Sequence, residues 1–305
     1  MSLAPFRLKP WFSPRPWGRK SLEPWYEDTG TTELVGEAWL TGPQCVVEEG
    51  DELAGKTLAS LTPELGGEFP LLVKLLFPNE KLSVQVHPDD AQAQAAGEAR
   101  GKTECWYVLE AEPGAAVALG LKDGVDVAKV KAAIADGTME ELMEWVPVSV
   151  GDMLFVDAGT VHAIGPGVVL LETQQTSDVT YRLYDYGRPR ELHLEQGLKV
   201  IKPKTQAGKV APQQMDGFTR LIEQRYFVVD RFDLGEMEER RVAMDGAGCL
   251  VGIEGKVWVT TPGDEVELEP GKAVVVPAGT GEVMVEAELG ARFVRCVAPA
   301  VAQAS

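Results

Sequence analysis

The stretch VGDMLFVDAGTVH, residues 150–162, decides the fold because it aligns without gaps with PGKAVVVPAGTGE, residues 270–282. This first pair is offset by 120 residues (150 to 270). A second similar pair, WYVLEAEPGAAVAL (106–119) and LVGIEGKVWVTTPG (250–263), is offset by 144 residues (106 to 250). Short apolar runs broken by Gly and Pro surround both pairs, which is typical of antiparallel β structure. The sequence therefore predicts two copies of one β unit.

The two offsets differ by 24 residues, about the length of a helical insertion predicted in the first copy at about 125–147. Asp126 can cap a first helix, VAKVKAAIA, which stops at Gly137. A capping box that begins at Thr138 predicts a second helix, MEELMEWV. We expect another short helix after HPDD, at about 89–97, and we interpret the aperiodic stretch 202–216 as a linker.

The composition of the 305-residue chain narrows the class of protein. It has 29 basic and 47 acidic residues, and the net charge of −18 argues against nucleic acid or an anionic membrane as partner. No apolar run reaches the roughly 18 residues of a membrane span. The four cysteines form no CxxC pair, and the first residues lack the apolar stretch of a signal peptide. We therefore expect a cytoplasmic protein with an ordinary globular core.

Ligand-type side chains lie on three predicted strands. In KLSVQVHP, Ser83, Gln85 and His87 share one face because side chains alternate along a strand. Glu104 lies in GKTECWYVL, and His162 follows the strand of the first repeat segment. Two imidazoles and a carboxylate suit Zn²⁺ or Fe²⁺ with positions left open for a substrate, and Gln85 offers a neutral oxygen as a fourth ligand. Taken singly, each histidine could instead be a hydrogen-bonded structural residue.

The aligned positions of the second copy lack these ligands. By the two offsets, His162 falls opposite Glu282, and Glu104 falls opposite Gly248. The G-D-x-x-x-V-x-A-G-x-x-H element of the first copy resembles the second motif of the cupin barrel. This resemblance implies a mostly β double cupin, two antiparallel β-sandwich or barrel units with a short helical insertion in the first. We predict a catalytic, metal-binding cupin over 1–205 and a degenerate, metal-free cupin over 206–305.

Three cationic residues lie in the segments that carry the ligands. Lys74 is placed within the apolar strand FPLLVKLLFP, where an ammonium group needs a partner. Lys102 shares a face with Glu104, and Arg182 lies in VTYRLYDY. Each could form a structural ion pair. Together, in a chain of charge −18, they indicate a small anionic substrate held at one local site.

Several longer motifs resemble the type I phosphomannose isomerases in their short bacterial form. They are FPLLVKLLFPNEKLSVQVHPDD, GKTECWYVLEA and GTVHAIGPGVVLLETQQTSDVTYRLYDYGR, and the similarity covers most of residues 5–200. RPWG (15–18) and GEAWLTG (36–42) also match, whereas the C-terminal copy is less similar. The extra helical domain of the long family members has no counterpart here, so features that it contributes are not transferred.

The resemblance assigns roles position by position. The zinc ligands of the family match Gln85, His87, Glu104 and His162, which implies one Zn²⁺ per chain. The active-site arginine of the family matches Arg182.

The same resemblance implies roles for two lysines and a serine. Lys102 and Lys74 match family lysines, and Ser83 matches a serine near the substrate phosphate. Lys74, Lys102 and Ser83 are therefore candidates for binding that phosphate, and we assign this role to Ser83 and Lys74. We expect a sugar phosphate as the small-molecule partner, and no protein partner is indicated.

The implied reaction interconverts mannose 6-phosphate and fructose 6-phosphate by moving a proton between C2 and C1 through a cis-enediol. The predicted catalytic residues are Arg182, Glu172 and Lys102. Glu172 is the candidate base, with Lys102 and a metal-bound water as competitors, and it could instead orient a histidine ligand. Two other functions stay open: a non-haem Fe²⁺ cupin oxygenase, which uses the same ligand types, and a non-catalytic sugar-phosphate-binding cupin.

Overall fold

The computed structural model describes residues 3–49 and 52–300, which contain 24 strands, three α-helices and two 3₁₀-helices. The strands are β1 (Phe6–Lys9), β2 (Trp11–Arg19), β3 (Val35–Trp39), β4 (Val46–Val47), β5 (Leu71–Leu76), β6 (Val84–Val86), β7 (Glu104–Ala111), β8 (Ala116–Leu121), β9 (Met143–Pro147), β10 (Met153–Val156), β11 (His162–Ile164), β12 (Val168–Gln175), β13 (Tyr181–Tyr184), β14 (Gly208–Val210), β15 (Gln213–Gln214), β16 (Thr219–Glu223), β17 (Val228–Leu234), β18 (Glu238–Met244), β19 (Gly248–Glu254), β20 (Val257–Thr261), β21 (Asp264–Leu268), β22 (Ala273–Val276), β23 (Gly281–Ala287) and β24 (Ala291–Val297). The helices are α1 (Asp90–Ala95), α2 (Val127–Asp136) and α3 (Leu194–Val200), and the 3₁₀-helices span Leu58–Leu61 and Met139–Leu142. None of the described helices is long and apolar enough to cross a membrane.

The first unit is a pair of sheets. One has seven strands in the order β14-β10-β7-β12-β5-β3-β2, and the other has five in the order β13-β6-β11-β8-β9. Trp106 and Leu170 of the larger sheet pack with Val117 and Ile164 of the smaller one in a single buried cluster. The apolar side chains between the sheets therefore hold the unit together, as expected for strands with one face turned inward.

The second unit repeats this arrangement. Its sheets have eight strands, β15-β16-β17-β24-β19-β22-β1-β4, and four strands, β18-β23-β20-β21. The run β10-β7-β12-β5 of the first unit corresponds to β22-β19-β24-β17, and β6-β11-β8-β9 corresponds to β18-β23-β20-β21. Two antiparallel units with the same strand order confirm the predicted mostly β double cupin.

The two units exchange short strands across the predicted boundary near residue 205. β1 pairs with β22 in the sheet of the second unit, whereas β14 pairs with β10 in the sheet of the first. Their large sheets also share one apolar cluster, which includes Val73 and Cys105 from one unit and Cys249 and Cys296 from the other. The division into 1–205 and 206–305 stays a prediction, and residues 1, 2 and 301–305 at its ends lie outside the described residues.

The predicted insertion is half helical. Asp126 caps α2 by accepting from the Lys129 amide at 2.8 Å, and Gly137 ends α2 at a positive φ of 74°. The second predicted helix is wrong, because Thr138 makes no capping hydrogen bond and only a 3₁₀ turn forms. The following Met143–Pro147 segment is β9, which pairs with β8. Pairing with an exposed sheet edge thus outweighs a local helical preference.

Of two further local predictions, the helix at 89–97 is confirmed and the linker changes. α1 lies within the predicted range 89–97, with Asp89 as its N-cap. The predicted linker 202–216 contains the short strands β14 and β15. α3 was not predicted, and its Gly197 allows close packing because an added Cβ would lie 2.5 Å from Leu183 Cδ2 on β13.

Candidate metal centre and substrate cleft

Three buried side chains from three strands meet inside the first unit. His87 follows β6, Glu104 begins β7 and His162 begins β11. Antiparallel pairing places His162 opposite Gln85, which brings β6 and β11 side by side. Each of the three residues offers a ligand atom, and these atoms all lie within 4.8 Å of one another. Residues that are 17 and 58 positions apart along the chain (87 to 104 and 104 to 162) thus form one cluster.

The backbone fixes the orientation of both imidazoles. Nδ1 of His87 lies 2.9 Å from the Val179 carbonyl oxygen, and Nδ1 of His162 lies 2.9 Å from the Thr160 carbonyl oxygen. A carbonyl can only accept, so each Nδ1 carries the proton and each Nε2 presents a lone pair. Burial lowers the pKa of His162 to about 4 and the pKa of His87 well below its usual range. Both rings are therefore uncharged at neutral pH, which is the form in which histidine binds a metal ion.

Glu104 lies between the two rings and is completely buried. Its Oε1 is 3.4 Å from His162 Nε2, and its Oε2 is 3.6 Å from His87 Nε2. Neither carboxylate oxygen, nor His87 Nε2, has a hydrogen-bond partner of acceptable geometry, although Lys102 Nζ lies 3.0 Å from Oε2. Buried polar atoms without partners are costly, and three of them converge here. Two neutral imidazoles and a carboxylate fit a divalent cation such as Zn²⁺.

Gln85 borders the same cluster from β6. Its Nε2 lies 3.2 Å from His162 Nε2, and its Oε1 accepts from Ser83 Oγ at 3.4 Å. In this orientation the amide nitrogen faces His162. A rotation of the side-chain amide by 180° would turn its oxygen towards the cluster, as a metal ligand requires. Gln85 thus borders the cluster, and its role as the fourth ligand stays a prediction.

The equivalent positions of the second unit are arranged differently. Glu282 is exposed and forms a surface ion pair of 3.2 Å with Arg241. Gly248 has no side chain to offer, and the interior of the unit is filled by apolar residues such as Phe232 and Phe293, whose rings stack 4.9 Å apart. Within residues 3–49 and 52–300, the His87–Glu104–His162 group is the one metal-type cluster.

A cleft of about 420 Å³ opens beside the cluster. Every other predicted site residue lines it: Lys74, Ser83, Lys102, Glu172 and Arg182, together with Gln85. The structure thus brings all nine predicted site residues into one region. Their roles stay predictions.

Glu172 and Lys74 lie at the floor of the cleft, both almost completely buried. Glu172 Oε1 accepts from Trp106 Nε1 at 3.1 Å, and its Oε2 lies 3.3 Å from Lys74 Nζ. Burial, followed by the negative charge of Glu104, raises the pKa of Glu172 above its ordinary value. Lys74 also lies 3.6 Å from the exposed Asp178 and 4.6 Å from the centre of the Trp39 ring. Its charged partners are therefore carboxylates.

Lys102 stays charged in spite of its burial. Burial opposes the charge, but the nearby Glu104 and Glu172 carboxylates outweigh it and raise the pKa of Lys102 above its ordinary value. Its ammonium group therefore presents a fixed positive charge between the metal-type cluster and the cleft.

Arg182 differs from the other cations of the cleft. Arg15, Lys74, Lys102 and Arg190 each have a carboxylate within 4.0 Å, whereas Arg182 has none among the described residues. Its Nη1 donates to the Glu191 carbonyl oxygen at 2.7 Å, and its backbone amide donates to His193 Nδ1 at 3.2 Å. Burial and the neighbouring Arg190 lower the pKa of Arg182 from its usual high value. A guanidinium without an anionic partner is suited to bind one.

Sequence reasoning missed four charged residues of the cleft and the role of His193. Arg15 donates to both oxygens of Glu37 at 2.9 and 3.1 Å, and Arg190 donates to both oxygens of Asp185 at 2.7 Å. The signal for Arg15 and Glu37 was available, since both lie in the RPWG and GEAWLTG motifs. The four missed residues that line the cleft are Arg15, Glu37, Asp178 and Arg190. His193 is half-buried, and its Nδ1 accepts from the Arg182 backbone amide.

Comparisons with known proteins all find similarity to phosphomannose isomerases. The sequence model of the family Phosphomannose isomerase type I, catalytic domain, matches residues 36–120. The mannose-6-phosphate isomerase ManA of Bacillus subtilis is 34% identical over 94% of this chain and 97% of its own. The mannose-6-phosphate isomerase of Streptococcus mutans is 33% identical over 86% of this chain and 88% of its own.

Solved structures share the fold. The crystal structure of the mannose 6-phosphate isomerase from Bacillus subtilis superimposes with a TM-score of 0.85 at 30% identity, covering 96% of this chain and 99% of the other. A mannose 6-phosphate isomerase described as holo and zinc bound has the same fold at 17% identity, with a TM-score of 0.76 over 98% of this chain and 100% of its own. On the similarity to ManA over almost all of both sequences, the chain belongs to the type I phosphomannose isomerase family.

Proposed function

We propose that the chain is a zinc-dependent aldose–ketose isomerase that interconverts mannose 6-phosphate and fructose 6-phosphate through a cis-enediol. The observation that carries the proposal is the buried group of His87, Glu104 and His162 beside a cleft lined by five cations. Family membership supports the reaction, and the zinc-bound relative of the same fold supports the metal. The cleft is lined by five cations and three carboxylates. This excess of positive charge, in a chain of charge −18, fits an anionic sugar phosphate.

His87, Glu104 and His162 would hold the zinc ion, with Gln85 as the fourth ligand. When bound, Zn²⁺ supplies Lewis-acid stabilisation of negative charge on the sugar oxygens. The two Nδ1 hydrogen bonds keep the imidazoles oriented, which is the usual role of groups behind metal ligands. Lys102, 3.0 Å from Glu104 Oε2, adds positive charge at the inner end of the cleft.

Ser83 and Lys74 remain our proposed phosphate ligands, with Lys102 as the other candidate. Lys74 lies near both Glu172 and Asp178, so much of its charge is already balanced. Arg182 has no such partner within the described residues, and it would stabilise either the phosphate or the charge that develops on the enediol. Because arginine stays protonated, Arg182 is not the base.

Glu172 is the proposed base for the C2 proton. It lies in the cleft, and its raised pKa makes its carboxylate a stronger proton acceptor than an ordinary glutamate. Trp106 Nε1 donates to Oε1, and Oε2 lies 3.3 Å from Lys74 Nζ. Lys102 is the other candidate for this role, and its raised pKa, which keeps its ammonium group protonated, favours Glu172 as the proton acceptor.

The proposal is tested by incubating the purified protein with mannose 6-phosphate in D₂O without oxygen. We expect fructose 6-phosphate to form with some deuterium at C1, because the base exchanges part of the abstracted proton with solvent before a proton returns to C1. Failure of the zinc-loaded protein to form fructose 6-phosphate would contradict the isomerase. A requirement for oxygen would favour the oxygenase, and binding without product would favour the non-catalytic cupin.

A further inference from the structure

Asp90, the first residue of α1, joins three parts of the molecule through one carboxylate. Its Oδ1 accepts from the Gly101 amide and from Gln175 Nε2, both at 2.9 Å. Its Oδ2 accepts from the Tyr226 hydroxyl at 2.6 Å. The helix itself is capped by the preceding Asp89, so Asp90 is not needed as the N-cap. The Asp90 side chain is therefore free to hold the segment that begins at Gly101.

The segment 101–104 carries two residues of the proposed site, Lys102 and Glu104. Outside the strand, its backbone is held by the Asp90 contacts, by Gln175 Oε1 accepting from the Thr103 amide at 2.9 Å, and by the Lys102 amide donating to the Pro88 carbonyl at 3.0 Å. A Cβ on Gly101 would lie 2.5 to 2.7 Å from backbone atoms of residues 88–90. The segment is thus packed directly on the start of α1, and the position of that turn fixes Lys102.

Tyr226 comes from the other unit. It lies between β16 and β17 of the metal-free unit, and its hydroxyl is the third donor to Asp90. With all three donors in place, both oxygens of the Asp90 carboxylate have a fixed direction. A carboxylate that loses the donor to one oxygen gains rotational freedom and the choice of a water partner.

We propose that Tyr226 is a positioning residue for the isomerase reaction: by orienting Asp90, it holds the segment 101–104 and hence Lys102 in the geometry of the active site. The role assigned to Lys102 rests on the proposed function. The metal-free unit then contributes to catalysis without touching the substrate. Small displacements of positioned groups are known to lower rates by large factors, so a weak hydrogen bond is sufficient for a measurable effect.

The test compares Tyr226→Phe with Tyr26→Phe. Tyr226→Phe keeps the ring and removes the hydroxyl that reaches Asp90. Tyr26→Phe is the matched control, because the Tyr26 hydroxyl also joins the two units, at the Gly271 carbonyl oxygen. We expect Tyr226→Phe to lower kcat about three- to tenfold with KM changed less than twofold, and hydrogen exchange in peptides covering 98–104 to become several-fold faster. Tyr26→Phe should lower the melting temperature and leave kcat and that exchange unchanged.

A double-mutant cycle with Asp90→Asn, which keeps the Asp89 cap, checks the route. If Tyr226 acts through Asp90, the double variant should lose no more kcat than Asp90→Asn alone, whereas independent effects would multiply. An unchanged kcat in Tyr226→Phe, or multiplied losses in the double variant, would overturn the proposal. Unchanged exchange at 98–104 in both Tyr226→Phe and Asp90→Asn would also overturn it. Since exchange needs no substrate, this outcome is separate from a failure of the proposed reaction.

Discussion

Glu172 and Lys74 face each other directly across β12 and β5, and their side chains lie 3.3 Å apart at the floor of the cleft. Both are almost completely buried. Cross-strand pairing therefore places the proposed base against a cation. The raised pKa of Glu172 shows that burial and the charge of Glu104 outweigh this cation. The pair thus neutralises a buried lysine and still leaves a carboxylate of increased basicity.

Replacement of Glu172 by Gln tests the role of this carboxylate. We expect kcat and C2 proton exchange to fall by about 10²- to 10⁴-fold, the usual contribution of a general base, while the zinc content is retained. Glu37→Gln is the matched control, because Glu37 is also a cleft carboxylate that accepts from a tryptophan, Trp39 Nε1 at 2.6 Å. C2 exchange in Glu172→Gln within tenfold of that in Glu37→Gln would assign the proton transfer to another group.

His162→Ala tests the ligand set. The variant removes one imidazole from a buried group with no other histidine than His87, so we expect zinc well below one per chain and activity reduced about 100-fold or more. Glu282→Ala, at the aligned position of the second unit, should keep both the metal and the activity. Metal content measured by atomic emission decides: full zinc in His162→Ala would remove His162 from the ligands, and loss of zinc in Glu282→Ala would contradict a metal-free second unit.

Arg182→Ala tests the unpaired guanidinium. Zinc should be retained, because Arg182 contacts none of the proposed ligand atoms in the described contacts, while kcat should fall about 10²- to 10³-fold, as when one preorganised donor is lost. Arg182→Lys should recover only part of this loss, since lysine lacks the planar fork of donors. Steady-state kinetics with mannose 6-phosphate measure both variants. Turnover within twofold of wild type in Arg182→Ala would exclude a catalytic role.

Acid should destabilise the metal-stripped protein in a defined window. Burial lowers the pKa of His162 from 6.5 to about 4, so between these values the unfolded state binds more protons than the folded state. The free energy of unfolding therefore decreases as the pH falls from about 6.5 to about 4. Urea unfolding of the apo protein at pH 7, 6, 5 and 4 measures this slope. His162→Gln should have a shallower slope, and equal slopes would show that His162 does not contribute.

The sequence predicted the fold and the meeting of the ligand-type residues because both depend on local pattern. Alternation in KLSVQVHP placed Gln85 and His87 on one face, and the two repeat segments defined equivalent strands in both units. Glu104 and His162 lie on two further predicted strands, and the family motifs matched both to zinc ligands. In the structure the three metal-type residues meet within 4.8 Å.

Contacts between residues far apart in the sequence could not be predicted from the sequence pattern. Asp178 contacts Lys74 although the two are 104 positions apart in the sequence (74 to 178). Tyr226 contacts Asp90 over a separation of 136 positions (90 to 226). No local sequence pattern indicates either contact. The segment MEELMEWV has helical composition, yet its second half forms β9 because β8 offers an unpaired edge. Local propensity cannot report such an edge, since the partner strand lies elsewhere in the chain.

Zinc reconstitution tests the central claim most directly. The protein is stripped with a chelator, titrated with Zn²⁺, and assayed for conversion of mannose 6-phosphate to fructose 6-phosphate at each addition. The buried group of His87, Glu104 and His162 predicts negligible activity without metal and a linear recovery that ends at one zinc per chain. Full activity in protein shown to hold less than about a tenth of an equivalent of metal would contradict a metal-dependent reaction at this site.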